Sequence, residues 1–481
     1  MPPRTRKAGS AAKPKRGRST KKRSTIPSPV TRIPPEILGE IFLWSLPPVS
    51  EAPVREDFDI DESPWVLTHV CSRWRAAAAS TPALWSLIVI DFRFYDHPLA
   101  AVKLQIQRSR ALKVHFFGSH KNDAAPQIQM FQCLSEHSAR WEELRLILTE
   151  DLLPLLPALR DRMPLLRKLG IYWEDGSEKD DADSDDSEEE SEESEESVDC
   201  FETTVSLVDV SLGCSRVSSF DLPRHLTSYR ASASWDIHRQ ILSQASELVV
   251  AVIYVADVVE WTETELDDSE IIDLPQLQCL YVSDVEILAH LRMPVLEQIT
   301  MNIQESLICR IEDLPALHRF LAHSSDTVRR LCLQGLPQKT VAEAILKAYP
   351  LLEELAFIFD DGEDNVYETA SAVINALVVW DEQGDFPRMT RIDLAFHGEL
   401  FLAVRAYMKM IASRFYMHRS ALRSVTLCIG KATQDPEYDC LKEWETELDE
   451  LQDAGLDFTL VNGTNDVLAP MVRWLCRQKW A

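Results

Sequence analysis

The stretch Pro294-Val295-Leu296-Glu297-Gln298-Ile299-Thr300-Met301 places apolar side chains two, five and seven positions after a proline. The last two of these positions alternate, so Ile299 and Met301 share one face of a strand. The proline is tolerated because the strand has not yet begun at Pro294. The pattern therefore predicts a short strand that is entered through a turn and has one face in a hydrophobic core.

The same spacing recurs along the chain, four more times with the proline and three times without it. The further copies with proline begin at Pro164, Pro275, Pro350 and Pro387. The copies without it are Trp141-Leu144-Leu146, Val328-Leu331-Leu333 and Leu422-Val425-Leu427. A short motif that returns in this way is typical of a solenoid.

Amphipathic segments lie between these strands and predict helices, with apolar residues at spacings of three and four. They are 285–291, 317–321, 341–348, 367–380 and 401–415. Strands that alternate with helices predict an α/β fold with a parallel sheet lined by helices. Because the copies are 19 residues apart from Pro275 to Pro294 but 37 apart from Pro350 to Pro387, we expect an irregular array.

A different pattern precedes the repeats, in residues 33–85. It predicts three short helices, each with an apolar stripe. The first opens at Pro34-Pro35 and carries Ile37, Leu38, Ile41 and Phe42. The second opens at Ser63-Pro64 and carries Val66, Leu67, Val70, Cys71 and Trp74. The third opens at Thr81-Pro82 and carries Leu84 and Trp85. A segment of this size has too little interior to bury so much apolar surface, so we expect part of it to bind a partner.

The residues of this segment, IPPEILGEIF followed by VLTHVCSRWRAAAASTPALWSLI, resemble an F-box, and most closely the large fungal F-box families with leucine-rich repeats. The resemblance implies docking on the Skp adaptor of an SCF-type cullin–RING ubiquitin ligase. The acidic insert 49–62 departs from compact F-boxes and is expected to loop out. We expect Trp74 and Trp85 to pack internally. Carried over by position, the adaptor-binding residues are Pro35, Leu38, Ile41, Phe42, Val66, Leu67, Val70 and Trp74, some of which must form the core of the box instead.

The predicted fold is an α/β solenoid, in which a three-helix F-box precedes an irregular leucine-rich-repeat-like array of parallel strands and helices. The predicted segments are a disordered basic tail (1–30), the F-box (31–90), a first repeat segment (91–173), a disordered acidic linker or insert (174–199), the repeat domain (200–464) and a C-terminal capping helix (465–481).

Charge is unevenly spread over a chain whose net charge is −27. Residues 174–199 carry sixteen acids and one lysine, whereas residues 1–25 carry ten basic residues and no acid. Both segments lack the apolar residues that a fold needs. Ser187, followed by three glutamates, is a candidate site for an acid-directed kinase, although a solvated linker explains the segment as well. A candidate nuclear-import signal, with a solubilising tail as the alternative, comprises Lys13, Lys15, Arg16, Arg18, Lys21, Lys22 and Arg23.

Composition argues against several other classes of protein. The ten cysteines include no C-x-x-C pair, so reduced thiols are expected instead of disulfides or a zinc site. The longest apolar run, 248–256, fits a buried strand and is too short to span a membrane. No phosphate-binding glycine motif or catalytic constellation is found, so neither a cofactor nor catalysis is expected. The acidity makes nucleic acid an unexpected partner and weakly suggests a basic one.

The sequence therefore predicts a non-catalytic substrate adaptor of a ubiquitin ligase in the nucleus, the cytoplasm or both. Its partners would be the Skp adaptor, through it the cullin–RING ligase, and an unknown substrate protein. One alternative is an F-box scaffold that acts outside ubiquitylation. Whether a bound partner is degraded would distinguish the two functions. The other is a chaperone for basic proteins built on the acidic tract, which deletion of residues 174–199 would disable.

Overall fold

The computed structural model describes two compact units, which comprise residues 33–84 and 85–464. The predicted basic tail, the 49–62 insert, the acidic segment up to residue 197 and the predicted C-terminal helix lie outside the described residues. The described ranges are 33–46, 64–94, 97–173, 198–213, 220–256, 271–303, 315–324, 326–335, 339–359, 371, 374–375, 377, 388–396, 401–416, 421–430 and 445–464.

The helical unit, residues 33–84, contains the helices α1 (Pro35–Trp44), α2 (Leu67–Val70) and α3 (Ser72–Ala79). Pro35 occupies the first helical position of α1, where its missing N–H leaves no hydrogen bond unmade. The rings of Phe42 and Trp74 lie 4.9 Å apart between α1 and α3. Gly39 lets α1 approach Thr81 closely, because a Cβ at Gly39 would lie 2.8 Å from the Thr81 hydroxyl oxygen.

The prediction of one helix from Val66 to Trp74 is wrong, because the helix is interrupted at Cys71. Cys71 has extended backbone angles (φ −162°, ψ 168°), and its Sγ accepts a hydrogen bond from the backbone N–H of Trp74 at 3.5 Å. It therefore caps a new helix, α3, instead of continuing α2. The predicted third helix is a single 3-10 turn, Pro82–Trp85.

Trp85 is fully buried, as predicted, but it belongs to the second unit and not to the helical one. There the Arg108 guanidinium lies 4.4 Å from the centre of its ring. The first strand of the sheet begins two residues later, inside the range predicted for the F-box. The helical unit therefore ends earlier than the sequence pattern indicates.

Among the described residues, the second unit contains an open sheet of fourteen strands, in which each strand pairs in parallel with the next strand of that sheet along the chain. Two further strands, β8 (Ile272–Asp273) and β10 (Leu291–Arg292), form a separate parallel pair. The strands of the large sheet are β1 (Leu87–Asp91), β2 (Leu112–Phe117), β3 (Trp141–Leu148), β4 (Lys168–Trp173), β5 (Asp209–Gly213), β6 (Ser228–Ala233), β7 (Val250–Val255), β9 (Cys279–Val282), β11 (Gln298–Ile303), β12 (Arg330–Gly335), β13 (Glu354–Phe359), β14 (Arg391–Phe396), β15 (Ser424–Gly430) and β16 (Asp457–Thr464).

Helices alternate with many of these strands, so the predicted α/β arrangement of a parallel sheet with interleaved helices is confirmed. The predicted helices 317–321, 341–348 and 401–415 are present, whereas 285–291 is a 3-10 helix, Val285–His290. Of 367–380, only residues 371, 374, 375 and 377 are described. The helices of this unit are α4 (Leu99–Arg108), α5 (Ala124–Ser135), α6 (Trp235–Gln244), α7 (Pro315–Ser324), α8 (Lys339–Ala348), α9 (Phe401–Tyr416) and α10 (Glu445–Asp453).

All eight copies of the sequence pattern end in strands of the large sheet, as predicted. Their alternating apolar residues lie side by side, so that Leu280, Ile299, Leu331 and Leu355 pair in register on successive strands and are buried. Apolar rows of this kind run from strand to strand and form one continuous core against the helices.

The acidic segment is an insertion between neighbouring strands of one sheet. β4 pairs directly with β5, and Lys168 is in register with Asp209. Val198, assigned to the acidic segment by sequence, is buried and forms a parallel bridge with Phe220. The last two residues of the predicted segment, Val198 and Asp199, therefore belong to described structure.

Candidate functional site

The helical unit exposes a row of large apolar side chains on α1. Ile37 is 53% exposed, Ile41 47% and Trp44 88%. Positions four and seven apart lie on one face of a helix, so the three side chains form a continuous stripe. Burial of these side chains against another protein would remove apolar surface from water, which is favourable.

A second exposed pair belongs to α2 and the turn before it. Val66 and Val70 are four residues apart, and both are exposed. We call Ile37, Ile41, Trp44, Val66 and Val70 together the docking face. Single exposed apolar residues are common on proteins, whereas several in one small unit are typical of interaction surfaces.

The opposite sides of the same helices form the interior of the helical unit. Leu38, Phe42 and Leu67 are buried, together with Ala77 and Ala78 of α3. Of the eight residues predicted to contact the adaptor, the structure leaves Pro35, Ile41, Val66 and Val70 exposed. Leu38, Phe42 and Leu67 are buried, and Trp74 is half-buried against Phe42.

Sequence reasoning missed two residues of the docking face, Ile37 as a specific contact and Trp44 altogether. The pattern that finds them is the spacing of four and then three residues from Ile37 through Ile41 to Trp44. Adjacent apolar pairs such as Ile37-Leu38 obscure this spacing, because neighbouring helical residues point in different directions.

Hydrogen bonds to backbone carbonyls hold the helices that carry this face. The Arg73 guanidinium on α3 donates to the carbonyl of Ile33, just before α1. Arg75 Nε donates to the carbonyl of Thr68 at 2.7 Å, which links α3 to α2. A charged donor that reaches a main-chain acceptor ties segments distant in sequence to one another.

The sheet unit offers a second surface, on the face opposite its apolar rows. Glu143 lies there between Arg145 and His115: its Oε1 accepts from Arg145 Nε at 2.9 Å and lies 3.0 Å from His115 Nε2. Burial by itself would raise the pKa of Glu143, but the hydrogen bond with His115 and the neighbouring positive charges lower it to about 2. Glu143 is therefore ionised at neutral pH.

A similar row crosses the other half of the sheet. Arg330 Nε lies 3.2 Å from Glu354 Oε1, and Arg391 Nε donates to Asp393 Oδ2 at 2.7 Å. Burial raises the pKa of Asp393, although the charge of Arg391 acts in the opposite sense. These acids and bases pair between neighbouring strands or along one strand, so their arrangement is that of a structural network.

Neither surface offers a metal site among the residues that the structure describes, since no group of three or more His, Cys, Asp or Glu side chains there could hold an ion. Within the same residues, no helix is long and apolar enough to cross a membrane. A scan against protein-family models gave no match, and a search of curated proteins gave none either. Any function assigned to the chain therefore rests on its own residues and geometry.

Proposed function

We propose that this chain is the substrate-recognition subunit of an SCF-type cullin–RING ubiquitin ligase. The helical unit would be an F-box that docks on the Skp adaptor, and the sheet unit would hold the substrate. The observation that carries the proposal is the docking face, an exposed apolar stripe on a unit whose sequence resembles an F-box.

The exposed surface is large enough to drive association. Complete burial of an isoleucine side chain contributes about 2 kcal/mol, so covering the exposed halves of Ile37 and Ile41 contributes about 1 kcal/mol each. Trp44 adds a large aromatic side chain, the kind of residue that most often dominates binding energy at interfaces. Glu36 and Glu40 are exposed on the same helix, which favours a partner with positive charge beside its apolar groove.

The sheet unit supports the second half of the proposal. Fourteen strands that follow one another in chain order fit a solenoid of leucine-rich-repeat type, in which each repeat packs only on its neighbours. Such an array provides a long surface for a protein substrate. No residue of the chain would perform chemistry: it would raise the effective concentration of a substrate lysine near the ubiquitin-conjugating enzyme.

The proposal is tested by co-purification of the full chain with recombinant Skp adaptor. The test variant is Ile37→Asp with Ile41→Asp, since both side chains are exposed and the fold should survive. The control is Val205→Asp, the same kind of change at a valine that is 82% exposed in the sheet unit. We expect the adaptor to retain the wild type and the control but not the double variant. If the adaptor does not retain the wild type, the proposal is wrong.

A second assay separates a ligase subunit from a scaffold. Proteins captured by the chain are incubated with the reconstituted ligase, ubiquitin and ATP, with the wild type or the docking-face double variant as receptor. We expect ubiquitin transfer to a captured protein with the wild type alone. Adaptor binding without transfer to any captured protein would favour the scaffold.

A further inference from the structure

Three neighbouring strands of the large sheet, β7, β9 and β11, carry no charged side chain on the side that faces away from the apolar core. Their outward positions hold valine, tyrosine, cysteine, glutamine, threonine and asparagine. The flanking strands differ, since Arg230 on β6 and Arg330 on β12 lie on that same side. In a chain with 26% charged residues, an uncharged region three strands wide sets this part of the sheet apart.

Two tyrosine rings lie at the centre of this region. The rings of Tyr254 and Tyr281 are 4.6 Å apart and tilted by 42°. The Tyr281 hydroxyl donates to Gln334 Oε1 on β12 at 3.4 Å. Because β11 lies between β9 and β12, which are therefore about 10 Å apart, the Tyr281 side chain extends across β11 to reach Gln334. Its ring thus lies along the sheet instead of standing upright on it.

Burial around Tyr281 agrees with this orientation. Thr300 on β11 is in register with Tyr281 and is only 2% exposed, although it points away from the core. Tyr254, Tyr281 and Val252 are half-buried, so part of each side chain remains accessible. We call Val252, Tyr254, Tyr281 and Gln334 the tyrosine patch. Because the rings lie along the sheet, a partner can pack on them without entering a cleft.

The chemistry of the tyrosine patch is that of an interface centre, where aromatic residues are enriched and charged ones are depleted. A charged side chain of a partner placed here would lose its hydration without meeting an opposite charge on β7, β9 or β11, which is costly. An apolar side chain would gain by leaving water and would pack against the rings. The patch therefore favours an uncharged apolar segment, although the acidity of the whole chain weakly suggests a basic partner.

We propose that the tyrosine patch binds an uncharged, apolar segment of the substrate protein. This assigns the substrate contact to β7, β9 and β11 and names the class of segment recognised, within the function proposed above and resting on it. The two tyrosines would contribute most of the binding energy, since tyrosine is among the residues that most often dominate interfaces.

The test selects short random peptides, displayed on phage, for binding to the immobilised full chain. The library is first depleted on the variant Tyr254→Ser with Tyr281→Ser, which removes peptides that bind elsewhere, including those that bind the docking face. The remaining peptides are selected on wild type, and their dissociation constants are measured by fluorescence anisotropy. The control is Tyr172→Ser with Tyr416→Ser, an equal loss of two accessible tyrosines on β4 and α9.

We expect the selected peptides to share uncharged, apolar positions. They should bind the serine variant at least about tenfold more weakly than wild type, and the control within about twofold of wild type. Val252→Glu is a second variant, which keeps both rings and places a charge beside them; it should also weaken binding about tenfold or more. Tyr254→Phe with Tyr281→Phe should stay within about threefold of wild type, because the rings and not the hydroxyls form the surface.

Three results would overturn the proposal. The first is that no peptide remains after depletion, as when a segment of the chain itself occupies the patch. The second is that the selected peptides are predominantly charged. The third is equal affinity of wild type and Val252→Glu for the selected peptides.

Adaptor retention by the same variants keeps the two hypotheses apart. We expect the serine variant and Val252→Glu to keep the adaptor while they lose the peptides. A wild type that keeps the adaptor but selects no peptide would refute the tyrosine patch alone. A wild type that selects uncharged peptides but does not keep the adaptor would refute the ligase function and leave the patch as a peptide site.

Discussion

Replacement of Gly335 by alanine tests the register of the sheet at the end of β12. Gly335 has φ +90° and pairs with Ile303, and a Cβ at Gly335 would overlap the carbonyl oxygen of Ile303. Gly455 is the matched control, because its φ is +103° but a Cβ there would meet nothing within 4 Å. The two substitutions therefore share the backbone strain and differ in the overlap.

The magnitudes follow from those two contributions. A positive φ costs an L-residue about 1–2 kcal/mol relative to glycine, and this applies to both sites. Overpacking against a neighbour that must shift costs about 1–3 kcal/mol more, and this applies to Gly335 alone. The effect of alanine on the unfolded chain is the same at both sites and cancels in the comparison.

The assay is chemical denaturation of Gly335→Ala and Gly455→Ala beside wild type, with hydrogen exchange of the amides in β11 and β12. We expect Gly335→Ala to lose at least about 1 kcal/mol more than Gly455→Ala, with faster exchange confined to those strands. Equal losses in the two variants would refute the reasoning, because the close approach to Ile303 would then be absent.

Two further predictions concern the core. Leu331→Ala, at a fully buried position of the apolar row, should lower the free energy of unfolding by about 2–5 kcal/mol. Leu165→Ala, at a position about half-exposed, should lower it by about 1 kcal/mol or less. Similar losses for the two variants in denaturant titrations would contradict the register. His238 is buried between the Tyr229 hydroxyl and the Tyr254 carbonyl, and burial lowers its pKa. The unfolded chain therefore takes up the proton first, so stability should fall as pH drops below about 6.5. His238→Gln should reduce this loss of stability, measured by denaturation between pH 7.5 and 5, whereas His69→Gln at an exposed position should not. Identical pH profiles for wild type and His238→Gln would contradict this prediction.

The strands of the repeated pattern could be predicted from sequence, because the requirement for a buried strand is local. A large apolar residue at or before the start of the strand and two apolar residues within it are enough to predict a buried strand, and the eight copies found in this way all lie in the sheet. β5 was missed, although Leu207-Val210-Leu212 follows the same spacing without proline. β7 was predicted from the apolar run 248–256 and not from the spacing, which Leu248-Ala251-Ile253 also follows.

β6 shows why some strands are not recognised from this spacing. Its inward residues are Tyr229 and Ala231, and the tyrosine hydroxyl lies 3.0 Å from Nδ1 of the buried His238. A polar pair within the core satisfies itself by hydrogen bonding, but the sequence does not reveal which histidine will meet which tyrosine.

Which apolar side chains of the helical unit are exposed could be predicted in part. The periodicity identifies the apolar residues of the helical unit, but not which of them face inward, because that depends on how α1 packs against α3. The break at Cys71 was not foreseen, since the spacing of four residues continues from Val70 to Trp74 and only the thiol cap interrupts it.

The most direct test of the central claim is the dissociation constant of the purified chain for the Skp adaptor, measured by titration. Ile37→Asp with Ile41→Asp removes about 2 kcal/mol of apolar burial and places two carboxylates in the interface, at a further cost of about 1 kcal/mol or more. We predict specific binding by wild type and Val205→Asp, and binding at least about 100-fold weaker by the double variant. Absence of wild-type binding, or equal affinity of all three proteins, would contradict the account.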